Sequence, residues 1–96
     1  VNIVFGSLAG REYDDAFNYY EAEESGLGEK FRRAVWGAIG IIEQYPHSSP
    51  EIRPGVRKVL LRRFPYKLLY AVRADTLYII AVAHSHRKPD YWAERR

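Results

Sequence analysis

Apolar residues recur along this chain with two different periods, and the period changes near the middle. Ala9, Tyr13, Ala16, Phe17 and Tyr20 fall on one face of a helix, with Ser7 placed to cap its start and Ser25-Gly26 to end it. Phe31, Val35, Ala38, Ile39, Ile42 and Tyr45 repeat at three- and four-residue steps and predict a second helix, which Pro46 stops. Gly37 and Gly40 lower the propensity of that helix and read as points of close backbone approach. Each helix is apolar on one side only. The pair therefore forms an αα-hairpin that needs a flat apolar surface against it.

The second half supplies that surface. His47–Gly55, with Pro50 and Pro54, reads as a linker, and beyond it the period falls to two. Val56–Phe64, Tyr66–Val72 and Thr76–His84 are the expected strands, with Arg73–Asp75 as a turn and Pro65 forcing a corner or bulge. Asn2–Phe5 adds a short edge strand. The run Ile79-Ile80-Ala81-Val82-Ala83 has no polar residue, which predicts a central strand covered on both faces. Lys88–Arg96 is expected to form a short helix opened by Pro89. The predicted class is α+β: a small twisted antiparallel sheet with an N-terminal αα-hairpin on one face.

Composition narrows the choice. A chain of 96 residues fits one domain, 1–96, and its 47% hydrophobic and 15% aromatic content argues against disorder. The absence of cysteine excludes disulfides, thiolate nucleophiles and Cys-ligated zinc. No stretch is long enough to span a bilayer, and Val1–Leu8 is too short and uncharged to read as a signal peptide, so a cytoplasmic protein without membrane contact is expected. Charge is divided unevenly. Residues 1–51 carry four basic against nine acidic side chains, net −5, whereas 52–96 carry eleven against three, net +8. The second half is a candidate surface for a polyanion or an acidic protein.

The stretch RRFPYKLLYAVRADTLYIIAVAHSHRKPDYWAERR (Arg62–Arg96) resembles the C-terminal half of RelE/ParE family toxins of bacterial type II toxin–antitoxin modules. The features that carry the resemblance are the aromatic–basic–aliphatic strand Tyr66-Lys67-Leu68-Leu69-Tyr70, the element His84-Ser85-His86-Arg87 at the end of the next strand, and Pro89 followed by Tyr91-Trp92. The ending is more similar to the ParE-like, plasmid-stabilisation branch than to the founding ribonucleases. Those carry a Lys-x-Lys pair; here Lys58 fits the first position and Leu60 stands at the second. The resemblance implies a sheet with a helical hairpin on one side, a cognate antitoxin as partner, and growth arrest through DNA gyrase. Its alternative target is the ribosome with mRNA, cut by a metal-independent endoribonuclease.

Cleavage of RNA by its own 2′-hydroxyl needs a base, an acid and positive charge on the phosphate. For that reading the candidates are His84 and His86 as base or acid, Arg87 on the phosphate, and Lys67 and Tyr91 assisting. Arg57, Lys58, Arg62, Arg63, Lys88 and Trp92 are candidates for nucleic-acid or partner contact. His84 and His86 face one way along an extended strand and Arg87 the other, so they share a site only if the chain turns there. No cofactor and no metal are expected: His84-x-His86 with Asp90 lacks independent support as a ligand set. A basic RNA- or protein-binding module without toxicity remains a further alternative.

Overall fold

The computed structural model describes residues 2–95. Strand β1 (Asn2–Phe5) leads into helices α1 (Ser7–Glu23) and α2 (Leu27–Gln44), followed by β2 (Glu51–Arg53), β3 (Val56–Leu60), β4 (Tyr66–Arg73), β5 (Thr76–His84) and a 3₁₀ turn at Ala93–Arg95. The five strands lie in the order β1-β5-β4-β3-β2. The hairpin packs on one face, through Ala9, Ala16, Phe31, Val35, Ile39 and Ile42 against Leu68, Tyr70, Leu77, Ile79 and Val82. This is the expected α+β architecture.

The departures have local causes. The sheet is mixed, because β1 runs parallel to β5 while every other pairing is antiparallel. The parallel pair is joined by a long crossover that contains the helical hairpin and β2–β4. The expected linker contains a strand: Glu51–Arg53 pairs with Arg57 and Val56 across a turn at Gly55, whose φ of 76° suits glycine. All three residues of β2 are exposed, so no apolar alternation marks them. β3 ends at Leu60 instead of Phe64, as Arg63 takes a left-handed φ of 70° and Pro65 follows.

The helix termini also differ from expectation. Gly6, with no side chain to offer, is the N-cap of α1, and Ser7 is already helical. No Cβ at Gly37 or Gly40 would meet anything within 4 Å, so neither is a point of close approach. That role falls to Gly28, where a Cβ would stand 2.8 Å from Phe17 O and 2.9 Å from a Glu21 carboxylate oxygen. Glu21 accepts the N–H groups of Gly26 and Gly28 at 2.9 and 3.0 Å, so the last turn of α1 caps the first of α2.

Residues 88–95 do not form the α-helix expected at 88–96, of which Arg96 lies outside the described residues. Asp90 adopts a φ of 65° and only a single 3₁₀ turn follows, through Arg95. Pro89 precedes this turn without opening a helix. The tail covers the second face of the sheet, where Trp92, 2% exposed, packs with Val56, Leu69, Ala71, Ile80, Ala81 and Ala83. Both faces of β5 are thus covered, as its apolar run implied. The register between β4 and β5 jumps at Ile80, opposite Leu69 and Tyr70. That bulge puts the neighbouring Ile80 and Ala81 in the same cluster.

Candidate functional site: a carboxylate-centred cluster where the tail meets the first helix

β5 ends at His84, and the chain turns at once, with Arg87 N–H donating to His84 O at 3.0 Å. The turn returns Arg87 to the side of His84. An open cleft of about 340 Å³ is lined by both, together with Glu12, Asp15, Ala16, Tyr19, Tyr66 and Val82. Tyr66 opposes His84 across the β4–β5 ladder, ring centroids 5.0 Å apart, and His86 stacks its edge on His84 at the same distance. His84 Nδ1 accepts the His86 backbone N–H at 3.0 Å, which leaves Nε2 as the protonated nitrogen of the neutral ring.

At the centre stands Glu12 of α1. Its carboxylate accepts Tyr91 O–H at 2.7 Å, both terminal nitrogens of Arg95 at 2.9 and 3.0 Å, and Val82 N–H at 3.0 Å. Arg87 reaches it more loosely, at 4.0 Å, and lies over the Tyr91 ring at 3.9 Å from its centroid. Burial by itself would raise the Glu12 pKa; the hydrogen bonds from Arg95, Tyr91 and Val82, with the Arg95 charge, outweigh it and hold the carboxyl below its ordinary range. Tyr91 moves the other way. Burial, then its hydrogen bond to Glu12 and the Glu12 charge, push the phenol well above its ordinary range, and its O–H donates to Glu12.

The other candidates lie elsewhere. Lys67 alternates with Tyr66 and Leu68, pairs with Ala83, and lines a second cleft of about 300 Å³, with Lys58, Leu60, Leu61, Phe64, Pro65, Ser85 and the shared Tyr66. It does not join His84. Arg57 is half-buried and bound to the 47–51 segment, donating to the carbonyls of His47 and Ser49 and pairing with Glu51 at 3.8 Å. Arg62, Arg63 and Lys88 are exposed. Trp92, a candidate for partner contact, is interior to the tail-side cluster, because its indole is the largest apolar group the tail offers the sheet. Asp90 pairs with Arg53 at 3.0 Å.

Glu12 and Arg95 are functional candidates that the sequence reading did not single out. The available signal was spacing. Glu12 lies three residues after Ala9 and four before Ala16, on the apolar stripe itself, where a carboxylate needs a partner. A second feature is the groove between α2 and β3, of about 360 Å³, lined by Arg33, Ala34, Gly37, Ala38, Ile41, Val59, Leu60 and Arg62. Ile41 and Leu60 are 58% and 66% exposed there.

A chain of the solved structure "Chromosomal ParDE TA system from P. aeruginosa" superposes with a TM-score of 0.60, covering 88% of this chain and 95% of that one at 19% identity. The two share a RelE/ParE-like fold. No protein-family model matches the sequence, and no curated protein matches it. Among the described residues, no helix is long and apolar enough to cross a membrane.

Proposed function

We propose that this chain is the toxin component of a type II toxin–antitoxin module, and that it arrests growth by binding DNA gyrase without cutting RNA. Support for the module comes from the shared fold with the ParDE system and from the His84–Trp92 ending. The observation that carries the non-nucleolytic reading is the use made of the tail's polar groups. A phosphate site needs cations whose charge is free to face it. Here Arg95 and Tyr91 are bonded to Glu12, Arg87 stacks on Tyr91 beside the same carboxylate, and Lys67 is on the other face of the sheet. Leu60 stands where the nucleases carry their second lysine.

The partner that neutralises such a toxin is an acidic, partly apolar segment. The α2–β3 groove supports this, since exposed Ile41 and Leu60 are flanked by Arg33 and Arg62. Among the described residues β2 pairs with Val56 and Arg57 alone, so no described strand lies beyond the Lys58–Leu60 edge of β3.

The test is induction of the protein alone in bacteria, with mRNA ends mapped by primer extension. Growth arrest with intact messages is expected. New ends within translated codons that disappear in Arg87→Ala or His84→Ala would overturn the reading in favour of a ribosome-dependent nuclease. Growth without arrest would leave a basic binding module.

A further inference from the structure

Strand β5 outlasts its neighbour. β1 pairs with it only as far as Phe5 and Ile79, and Gly6 N–H closes that ladder on Ile79 O at 2.9 Å. Beyond this point β5 meets side chains. Glu12 accepts Val82 N–H at 3.0 Å, and Arg95 donates to Ile80 O at 3.3 Å. A carboxylate and a guanidinium, bonded to one another, stand in for the backbone acceptor and donor that a further strand would bring.

The far end of the tail is held in the same way. Asp90 pairs with Arg53 of β2, whose guanidinium also lies 5.8 Å from the centroid of the Trp92 ring. Between the two anchors, the described backbone hydrogen bonds of the tail are local turns: Tyr91 N–H to Lys88 O, Ala93 N–H to Asp90 O and Arg95 N–H to Trp92 O. No strand of the sheet pairs with it. Lifting the tail therefore breaks the bonds of Arg95 and Tyr91 to Glu12, the Arg95 bond to Ile80 O and the Asp90–Arg53 pair, and withdraws one indole, while no rung of the sheet is lost.

We propose that residues 87–95 are a strap that opens as a unit while the helical hairpin and the sheet remain folded, uncovering the second sheet face and freeing Ile80 O at the edge of β5. Segments with few ladder bonds, held by their ends, open below the global unfolding free energy. Asp90, itself one of the anchors, is held in a left-handed conformation that costs a non-glycine residue conformational energy. The uncovered surface is an apolar strip of Val56, Leu69, Ala71 and Ile80, bordered by Ile80 O and by Glu12, which keeps Val82 N–H and loses Tyr91 and Arg95. It fits an extended segment that carries a basic residue, as the tail itself does through Arg95. The inference is independent of any role as a toxin.

Trp92 reports on the strap directly in a Trp36→Phe background. In the full chain, acrylamide quenching of Trp92 fluorescence should rise several-fold on adding Asp90→Asn with Glu12→Gln, with the far-UV circular dichroism unchanged. In the unsubstituted protein, hydrogen exchange at Tyr91 and Ala93 should run roughly tenfold or more faster than at Leu68 and Tyr70. Shielding of Trp92 in the substituted protein would overturn the proposal. So would exchange of the tail and β4 amides with one common free energy, or loss of helical signal together with Trp92 exposure.

Discussion

Both oxygens of Glu12 are engaged, Oε1 by Val82 N–H and Arg95, and Oε2 by Tyr91 O–H and Arg95. Charge-assisted bonds of this kind contribute more than neutral ones, and leaving Tyr91, Arg95 and Val82 without their acceptor is costly. Glu12→Ala is expected to destabilise the protein by about 2 kcal/mol, measured by urea unfolding. The sign of the pH dependence follows from the depressed carboxyl pKa. The Glu12 contribution is fully present above the ordinary carboxylate range and is lost as pH falls through its lower folded value. Glu12→Gln should therefore flatten the acid limb of the stability profile. Glu29, held low mainly by its hydrogen bond to Arg32, loses its own contribution in the same window, so the difference between wild type and variant isolates Glu12. An unchanged acid limb would show that the cluster does not couple to folding.

At the scale of elements, the helical hairpin depends on how closely its two helices approach at one end. Gly28 sits against Phe17 O and the Glu21 side chain, with no room for a methyl group. Gly28→Ala is expected to cost about 1–3 kcal/mol in thermal or urea unfolding. Gly37→Ala, at an exposed position with open space, should be neutral or slightly stabilising through helix propensity. The two helices, β4 and β5 were legible in the sequence because each buries a regular apolar stripe. β2 was not, since three exposed residues carry no such pattern and its strand state comes from pairing across Gly55. The tail was read as a helix from Pro89, but the sheet competes for Trp92, and burying the indole outweighs the weak helical tendency of so short a segment.

The whole molecule separates its charges by surface. The groove of α2 and β3 joins exposed apolar side chains to Arg33 and Arg62, while a second cleft gathers the Glu12 cluster. Ile41→Glu and Leu60→Glu are solvent-facing changes and should alter stability by less than about 0.5 kcal/mol. Each should nonetheless abolish co-purification with a co-expressed acidic antitoxin; retained co-purification would place that partner elsewhere. For the candidate site, the sequence named His84, His86, Arg87, Tyr91 and Lys67 and made the meeting of His84, His86 and Arg87 conditional on a turn; the turn after His84 brings the first four near one another and leaves Lys67 outside. What it did not indicate was the carboxylate on α1, 79 residues before Tyr91, that takes up the tail's hydrogen-bonding capacity. Long-range partners of this kind depend on tertiary packing and leave only a stripe-position acid as their trace. The central claim is inhibition without cleavage, and supercoiling of relaxed plasmid by purified gyrase tests it most directly. Added protein should suppress supercoiling in a dose-dependent way, and Arg87→Ala should retain the native fold. Undiminished supercoiling at saturating protein would contradict the account.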